Sequence, residues 1–527
     1  MPSWIEKANK YINKYWKIAE LKETQKDIIN ELLLGNDVVG LLPTGYGKSL
    51  CYLLPPLLLE KTMIIVSPLI ALMDDQCEKL TSMNIKAVAL NSNNKNKSED
   101  IEDVLNNKVR IVYMSPEYLM GDGLEFVQEL FEKELLGFIA IDESHCISTW
   151  GYDFRKEYKQ LKVLKDFFPS VPILAVTATA TEKVCIDIIN SLKLNNPEVY
   201  KVSFDRPNLN ITIKDIPKGY VQDSRVKKLK LVYKQLSHLE IVKPYIKKYS
   251  AEKIIIYINK RDETEKLSKE INLNFGNISE AYHAGLTKKK RTEIHKRFIS
   301  DDDSEKLNII ICTTAFGMGI DQTVRCVIII GCPSSIEEYY QEIGRAGRDN
   351  KPSETIFYFD YGCYLTNIYS MKHLEHSDNE LYNNRKMKLD RMKDLVHSNV
   401  CKRRQILSYF SQNDNKDEYF LTCNNCSSCC DYPLIDISDK ILPHINKNID
   451  IIKNEINKIL KTDQYFDGNK SHTIKLDYYN VLYSWINFIK RYKLKLEDLT
   501  EKNKFKIQNR FTSYADVIKP VEINYLD

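Results

Sequence analysis

The sequence contains no hydrophobic run long enough to cross a membrane and no recognisable export signal. Its first ten residues are polar and lack the apolar core of a signal peptide. The most apolar early stretch, Val38–Leu59, is interrupted by Pro43 and Lys48 and by a later proline pair, which excludes a membrane span. These absences predict a soluble, intracellular protein with no membrane partner, and they leave nucleus and cytoplasm as open alternatives.

The chain also lacks an excess of charge of either sign. Its 76 Lys and Arg residues nearly balance 72 Asp and Glu residues, for a net charge of +4 over 527 residues. Any nucleic-acid surface must therefore be a local concentration of basic residues. No short-period repeat or coiled-coil pattern is visible, and a hydrophobic content of 43% is enough for several buried cores.

Short apolar runs rich in β-branched residues alternate with helical patterns in both halves of the chain. Runs that are apolar on both faces favour parallel strands covered by helices, and the alternation predicts an α/β fold. The predicted strands are Thr62–Val66, Val109–Met114, Gly137–Ile141, Ile173–Val176, Lys253–Ile258, Leu307–Cys312, Val324–Ile330 and Thr355–Phe359. Because the alternation occurs twice, we expect two similar α/β domains that meet near Ser203–Leu209.

A glycine-rich segment follows the apolar run Val38–Leu42 and precedes a helical pattern, Leu50–Glu60. A strand, a glycine loop and a helix form the context in which backbone N–H groups cradle phosphates. The segment comprises Pro43, Thr44, Gly45, Tyr46, Gly47, Lys48 and Ser49. We expect Lys48 to neutralise the β- and γ-phosphates of ATP and Ser49 to bind Mg²⁺. Leu42 replaces the first glycine of the most common phosphate-loop pattern, and the form present here resembles the version found in helicases.

An acidic pair, Asp142 and Glu143, ends the predicted strand Gly137–Ile141. The carboxyl end of a parallel strand is where α/β active sites lie. We expect Asp142 to hold Mg²⁺ and Glu143 to activate the attacking water. The alternative, a helix cap with no catalytic role, is common for an isolated acidic pair. It loses weight here because the phosphate loop lies upstream.

With Ser144 and His145, the acidic pair resembles the DExH motif of superfamily 2 helicases, and the residues that follow resemble the aromatic-rich loop of the RecQ family. In that family the loop contacts single-stranded DNA and relays its presence to the ATP site. The resemblance implies DNA contacts by Trp150, Tyr152, Phe154 and Arg155. Aromatic rings stack on bases and arginine binds phosphate. Thr149 and Tyr152 depart from the family pattern, and a buried aromatic cluster is the structural alternative.

Other segments resemble further motifs of the same family. Lys22 and Gln25 occupy its adenine-binding segment, Ser67–Gln76 resembles a strand-binding motif, and Thr177–Ala180 resembles the motif that couples hydrolysis to strand binding. In the second half, Tyr282–Leu286 and Thr313–Asp321 match motifs whose small residues let a phosphodiester backbone approach closely.

The segment Gln341–Asp349 carries two arginines, Arg345 and Arg348, three residues apart. We expect them to share one helical face. Facing the nucleotide from the second domain, they can act as arginine fingers, with Arg348 as the main finger and Gln341 as a further catalytic residue. ATP would then be fully coordinated only in a closed cleft, and hydrolysis would favour opening.

Four cysteines have metal-ligand spacing: Cys401, then Cys423, Cys426 and Cys429. A closed set of four thiolates predicts a structural Zn²⁺ site, as in the RecQ zinc subdomain. An iron–sulfur cluster and thiol redox chemistry are the alternatives, and the neighbouring Cys430 can compete for the metal. The basic run 402–404 has two equally favoured interpretations, a contact with the DNA backbone or a solvated helix face.

Together these features predict two tandem RecA-like domains with parallel sheets, a helical zinc-binding subdomain and a small C-terminal domain. The expected boundaries are 1–208, 209–362, 363–432 and 433–527, with a degenerate winged helix and an unrelated fold as the alternatives for the last. The RecQ resemblance implies an ATP-dependent helicase that uses ATP, Mg²⁺ and structural Zn²⁺, moves 3′→5′ on single-stranded DNA and separates duplex DNA. The alternatives are an RNA-directed helicase and a nucleic-acid-binding scaffold with a weak motor. The oligomeric state stays open, and a monomer is compatible with the sequence.

Overall fold

The computed structural model describes most of the chain up to residue 430 and little beyond it. The described residues are 3–91, 94, 96–148, 155–222, 231–300, 307–316, 322–398, 401–411, 423–430, 434–436 and 506–508. Within them, no helix is both long and apolar enough to span a bilayer. The expected C-terminal domain, 433–527, therefore lies almost entirely outside the described residues.

The first lobe is built on a seven-stranded parallel sheet with the strand order β3-β4-β2-β5-β6-β1-β7. Its strands are β1 (Val38–Leu41), β2 (Thr62–Val66), β3 (Ala87–Leu90), β4 (Ile111–Met114), β5 (Leu136–Ile141), β6 (Ile173–Thr177) and β7 (Glu198–Lys201). Strands β2, β4 and β6 are buried along their whole length, and β5 is buried except at Gly137, because helices cover both faces of the sheet.

The helices of the first lobe connect these strands and also extend before β1. The α-helices are α1 (Ser3–Tyr11), α2 (Glu23–Leu33), α3 (Lys48–Leu53), α4 (Pro55–Leu59), α5 (Ile70–Ser82), α6 (Lys97–Leu105), α7 (Pro116–Met120), α8 (Gly123–Glu132), α9 (Leu164–Phe167) and α10 (Glu182–Ser191). A π-helical turn covers Ile12–Trp16, and 3₁₀ helices cover Ser144–Ile147 and Lys156–Val163. The helical run Leu50–Glu60, whose length the prolines were expected to limit, is two helices, since Pro55 starts a new one.

The second lobe is built on a six-stranded parallel sheet with the order β12-β13-β11-β14-β15-β8. Its strands are β8 (Leu209–Asp215), β11 (Ile254–Ile258), β12 (Ser279–Tyr282), β13 (Ile309–Cys312), β14 (Cys326–Gly331) and β15 (Ser353–Phe359). Its helices are α11 (His238–Lys248), α12 (Arg261–Phe275), α13 (Lys288–Ile299) and α14 (Ile336–Ile343). A separate antiparallel pair, β9 (Lys218–Gln222) and β10 (Leu231–Gln235), lies between β8 and α11 in the sequence.

A helical segment follows the second sheet. It contains α15 (Tyr361–Ser377), α16 (Asn379–His397), α17 (Lys402–Ser411) and the short α18 (Ser427–Cys430). Side chains of α16 and α17 join the same buried core as β8 and β14. Two short strands, β16 (Leu434–Asp436) and β17 (Lys506–Gln508), pair antiparallel.

The two predicted parallel-sheet domains are confirmed, and all eight predicted strands exist to within two residues at each end. Within the two parallel sheets, the strands that the sequence did not reveal are β3, β7, β8 and β12, which form the four edges, and the two short antiparallel pairs were not predicted either. Edge strands are partly exposed, so they lack the continuous apolar run of a buried strand. In β7, for example, all four residues are exposed or half-buried.

Candidate active site between the two lobes

Three neighbouring strands of the first sheet end at the predicted phosphate loop, at the predicted acidic pair and at the segment predicted to couple hydrolysis to strand binding. The phosphate loop, residues 43–49, follows β1, Asp142 and Glu143 follow β5, and Thr177 ends β6. In the sheet β6 lies between β5 and β1, and Leu41 is level with Thr177. Because all three strands are parallel, their carboxyl ends meet at one edge and bring these motifs together.

The phosphate loop is held open by backbone geometry that only glycine adopts freely. Gly45 and Gly47 have φ angles of 77° and 96°. A Cβ at Gly47 would lie 2.6 Å from Gln25 Nε2. Gln25 Nε2 donates to the carbonyl of Gly47 at 3.0 Å, and Lys22 Nζ donates to the carbonyl of Tyr46 at 2.9 Å. The two residues expected to contact adenine thus support the loop itself in this structure.

Tyr52 joins the two residues predicted to hold the metal ion, and sequence reasoning missed it. Its hydroxyl lies 3.2 Å from Ser49 Oγ and 3.5 Å from Asp142 Oδ2. Tyr52 is in the first turns of α3, so it faces the same side of the helix as Ser49, three residues earlier. Burial raises the pKa of the Asp142 carboxyl to about 6, Glu143 adds to the effect, and Lys48 opposes it.

Glu143 has the environment expected of a water activator. Its backbone has a φ of 48°, which is uncommon for a residue with a side chain. Burial alone would raise the pKa of Glu143, but the nearby charges of Lys48, His145 and Arg345 outweigh burial and lower it. Among the described residues, no group donates a well-aligned hydrogen bond to Glu143 Oε2, although His145 Nδ1 approaches it to 3.4 Å. A buried, ionised carboxylate oxygen is therefore available to accept a proton from water.

A chain of short contacts runs from the acidic pair to the second lobe. His145 Nδ1 lies 3.4 Å from Glu143 Oε2 and 2.8 Å from Thr177 Oγ1. Thr177 Oγ1 accepts from the backbone N–H of Thr179 at 3.2 Å, and Gln341 Nε2 donates to Thr179 Oγ1 at 3.3 Å. The segment predicted to couple hydrolysis to strand binding thus lies between the acidic pair and α14.

The arginine-bearing segment does not form the helix that its spacing predicted. Helix α14 ends at Ile343, and Arg345 and Arg348 lie in the turns that follow. Gly344 is the C-cap with a φ of −63°, and the chain leaves right-handed helical geometry at Gly347, which has a φ of 57°. The expectation of one shared helical face is therefore wrong.

The turn after α14 packs directly against the phosphate loop. A Cβ at Gly344 would lie 2.3 Å from Thr44 Oγ1, and a Cβ at Gly45 would lie 3.6 Å from Arg348 Cγ. Arg345 is 5% exposed, and its charge is one of those that lower the pKa of Glu143. A nucleotide in the loop would thus have the arginines of the second lobe beside its phosphates. Thr44 Oγ1 is buried and has no hydrogen-bond partner among the described residues. Its hydroxyl can therefore donate a hydrogen bond to a phosphate oxygen.

The residues predicted to contact DNA are only partly visible. Trp150, Tyr152 and Phe154 lie outside the described residues, as do residues 317–321 of the second-lobe motif. Arg155 is described, and its Nη1 donates to the carbonyl of Pro68 at 2.8 Å. A cavity of about 1850 Å³ lies beside it, lined by residues of both lobes that include Arg155, Thr313 and Arg345.

The four predicted zinc ligands come together. The sulfur atoms of Cys401, Cys423, Cys426 and Cys429 all lie within 4.8 Å of one another. Three pairs are 3.5, 3.8 and 4.0 Å apart. A tetrahedron with Zn–S bonds of about 2.3 Å has edges of about 3.8 Å. The set thus fits Zn²⁺, and four protein ligands leave no open position for chemistry. The side chain of Cys430 lies outside the described residues.

Comparison with known families gives three consecutive matches. Residues 22–187 match the DEAD/DEAH box helicase family, residues 233–350 the helicase conserved C-terminal domain, and residues 365–430 the RecQ zinc-binding family. The sequence is 35% identical to the ATP-dependent DNA helicase RecQ of Pasteurella multocida over 78% of this chain and 60% of that protein. The chain belongs to the RecQ family of ATP-dependent helicases. The predicted family is confirmed.

Other relatives of this RecQ-family chain carry different names. It is 35% identical to a putative ATP-dependent RNA helicase of Acanthamoeba polyphaga mimivirus, over 81% of this chain and 72% of that protein. It is also 35% identical to the RecQ-like DNA helicase BLM of Xenopus laevis, over 82% of this chain but 31% of that protein. The chain thus spans less than two thirds of the bacterial and frog relatives.

Solved structures show the same fold. A crystal structure of the helicase MrfA bound to DNA matches with a TM-score of 0.55 and 19% identity, over 73% of this chain and 54% of that one. The DEAD-box helicase Mss116 bound to ssRNA matches with a TM-score of 0.53 and 19% identity, over 71% of this chain and 76% of that one. The predicted RecA-like fold is confirmed. The matched helicase domains imply ATP and a divalent metal, and the cysteine site lies in the segment that matches the zinc-binding family.

Proposed function

We propose that this protein hydrolyses ATP to move along single-stranded DNA and to separate duplex DNA. The observation that carries the proposal is the split site. The phosphate loop and the acidic pair belong to the first lobe, and Arg345 and Arg348 reach it from the second. A nucleotide whose phosphates are contacted from both sides favours a closed cleft, and loss of the γ-phosphate favours an open one.

The residues have distinct roles in the proposed hydrolysis. Lys48 neutralises the β- and γ-phosphates, and Glu143 accepts the proton of the attacking water. Arg348, assisted by Arg345, stabilises charge on the transferred phosphoryl group. Gln341 links the arginine-bearing segment to Thr179 at 3.3 Å.

The divalent metal is proposed to be Mg²⁺. Ser49 Oγ and Asp142 Oδ2 both lie within 3.5 Å of the Tyr52 hydroxyl, so the candidate ligands are already neighbours. Both are oxygen donors, the type that Mg²⁺ prefers, and an ion held by few protein ligands retains several waters. The ion would supply positive charge to the β- and γ-phosphates.

DNA is the favoured substrate, and RNA is the second candidate. The zinc-binding segment and the names of the bacterial and frog relatives favour DNA. One observation favours RNA, namely the mimivirus relative called a putative RNA helicase, which this chain covers over 72% of its length. The direction of movement is proposed to be 3′→5′, which rests on the RecQ resemblance alone.

An ATPase and strand-displacement assay with matched DNA and RNA oligonucleotides tests these proposals. We expect single-stranded DNA to stimulate phosphate release and a duplex with a 3′ single-stranded tail to be separated. Stimulation by RNA and not by DNA would favour the second candidate. Strand binding without any ATP turnover would instead favour the scaffold hypothesis, which the presence of Lys48, Asp142, Glu143, Gln341 and Arg348 argues against.

The aromatic-rich loop has a separate test. We expect Trp150→Ala to leave hydrolysis without DNA nearly unchanged and to remove most of the stimulation by single-stranded DNA, since the loop is proposed to sense the strand. Unchanged stimulation would contradict this role of Trp150.

A further inference from the structure

A short connector joins the two sheets and passes beside the ATP site. It comprises residues 202–208, between β7 and β8, and contains Arg206. Arg206 Nη1 donates to the carbonyl of Thr44 at 3.3 Å, and Nη2 donates to the carbonyls of Ala346 and Gly347 at 3.1 and 2.7 Å. One guanidinium group thus bonds to the phosphate loop and to the arginine-bearing turn at once.

A second connector residue holds the same turn. Asn208 Nδ2 donates to the carbonyl of Gly347 at 2.9 Å and to that of Lys351 at 3.1 Å. A Cβ at Gly347 would lie 2.4 Å from Asn208 Nδ2, so the turn fits closely against the connector. The carbonyl of Gly347, next to Arg348, therefore accepts hydrogen bonds from both connector side chains.

The connector is held from its other side by α17, the helix that follows Cys401. Arg403 Nη1 donates to Asp205 Oδ1 at 2.9 Å and to the carbonyl of Arg206 at 2.5 Å, and its Nη2 donates to the carbonyl of Leu209. Arg403 is 5% exposed. Both interpretations of the basic run at 402–404 are thus wrong for Arg403, which neither faces solvent nor is free to contact DNA.

The zinc knuckle, residues 423–430, also binds the connector. Asn425 Nδ2 donates to the carbonyls of Pro207 and Leu209 at 2.9 and 3.0 Å. The backbone carbonyl of Asn425 accepts from the N–H of Ile211 at 3.2 Å, which joins the knuckle to the edge strand β8. The knuckle therefore holds the backbone at Pro207, directly after Arg206, and at Leu209, directly after Asn208.

We infer that Arg206 is a positioning residue that sets the arginine-bearing turn against the phosphate loop, and that the zinc knuckle keeps Arg206 in place through Asn425. This inference rests on the proposed ATP hydrolysis. Arg206 bonds to backbone carbonyls and acts through Arg348. A lysine cannot replace it, because three carbonyls in two directions need the forked donors of a guanidinium group.

The test measures kcat and KM for ATP separately in the full chain, with saturating single-stranded DNA. We expect Arg206→Ala to lower kcat on the order of 10- to 100-fold, as a small displacement of the arginines does. KM should stay within about twofold, because the loss affects the transition state more than nucleotide binding. We expect Arg206→Lys to restore little of the rate. A kcat within about twofold of wild type in either variant would overturn the inference. If the Arg206→Ala variant does not fold, the kcat of Arg206→Lys provides the test.

Asn425→Ala tests the contribution of the knuckle without removing a metal ligand. The backbone N–H that donates to Cys423 Sγ at 3.4 Å is retained in this variant. We expect Asn425→Ala to keep its full zinc content and to have a lower kcat than wild type. Because Asn425 and Arg206 act through one connector, Asn425→Ala should lower kcat less when it is added to Arg206→Ala than when it is made in wild type. An unchanged kcat, or two fully additive losses, would overturn the link between knuckle and Arg206.

The control is Arg110→Ala, which removes an arginine that pairs with Glu60 at 3.3 Å just before β4, at the opposite end of the strands from the site. We expect its kcat to equal that of wild type. A wild-type chain without ATP turnover would refute the proposed function. A wild type that turns over ATP while Arg206→Ala matches it would refute only the role of Arg206.

Discussion

The two halves of the ATP site are built in different ways. In the first lobe, the phosphate loop, the acidic pair and Thr177 follow three adjacent strands, and Tyr52 connects Ser49 with Asp142. In the second lobe, Arg345 and Arg348 lie in turns beyond α14. Their placement depends on Arg206 and Asn208, which are more than 130 residues away in the sequence.

The two halves differ in whether contacts within one sheet or contacts between distant segments of the chain place the catalytic residues. The first half is fixed by one sheet, because parallel strands bring their carboxyl ends to the same edge. The second half depends on contacts between segments that are distant in sequence, including the connector and the zinc knuckle. We therefore expect substitutions at the catalytic residues of the first lobe to abolish ATP hydrolysis. Substitutions in the connector and the zinc knuckle, which position the second-lobe arginines, should only reduce its rate.

The largest effect is expected from Glu143→Gln, in the first lobe. The amide keeps the size of the side chain but cannot accept the proton of water, so kcat should fall by about 10³-fold or more. Nucleotide binding should persist, measured with a fluorescent ATP analogue. Near-normal phosphate release would contradict the assignment of Glu143.

The next largest effect is expected from Arg348→Ala, in the second lobe. Loss of a guanidinium group beside the phosphates should lower kcat on the order of 10²- to 10³-fold, with ATP affinity nearly retained. Single-turnover phosphate release measures the chemical step directly. If Arg345→Ala lowers the rate far more than Arg348→Ala, the two roles are reversed.

An intermediate effect is expected from Cys426→Ser, which removes a zinc ligand remote from the nucleotide. The variant should lose bound zinc, melt roughly 5 °C lower and hydrolyse ATP at least about tenfold more slowly, because the connector loses its support. ATP binding by the first lobe should remain. Unchanged zinc content and melting temperature would contradict the metal site.

The smallest effect is expected from Tyr52→Phe. This variant tests whether contacts within the first lobe position the predicted metal ligands. The hydroxyl that lies between Ser49 and Asp142 is lost, so the Mg²⁺ concentration for half-maximal turnover should rise by up to about tenfold. A magnesium titration at saturating ATP measures it, with Tyr245→Phe as the control, because the Tyr245 hydroxyl contacts that of Tyr358 in the second lobe. Equal titrations for Tyr52→Phe and wild type would contradict the role of Tyr52.

The sequence was informative where chemistry follows directly from a buried strand. The runs ending at Leu42 and Ile141 located Lys48, Asp142 and Glu143, and the cysteine spacing located the four sulfurs that converge. Sequence reasoning missed Tyr52 and Arg206. The signal for Tyr52 was its spacing of three residues from Ser49 in a helix, whereas nothing local links Arg206 to Thr44 or Gly347.

The four sheet edges show the same limit. From Leu209 to Ile213, β8 alternates buried apolar and half-buried polar residues, a strand pattern that sequence reasoning overlooked, and its pairing partner, β15, lies more than 130 residues later. The zinc knuckle contacts this edge, since the Ile211 N–H donates to the carbonyl of Asn425. No local sequence pattern indicates this contact. Edge strands and connector contacts are both set by tertiary partners.

The most direct test of the split site is a crystal structure of the protein with ADP and a γ-phosphate mimic such as aluminium fluoride. We predict that Lys48 and the backbone of the phosphate loop contact the phosphates from the first lobe, while the Arg348 guanidinium lies within hydrogen-bond distance of the mimic from the second. A structure with the mimic bound by the first lobe, and with Arg345 and Arg348 both directed away from it, would contradict the account.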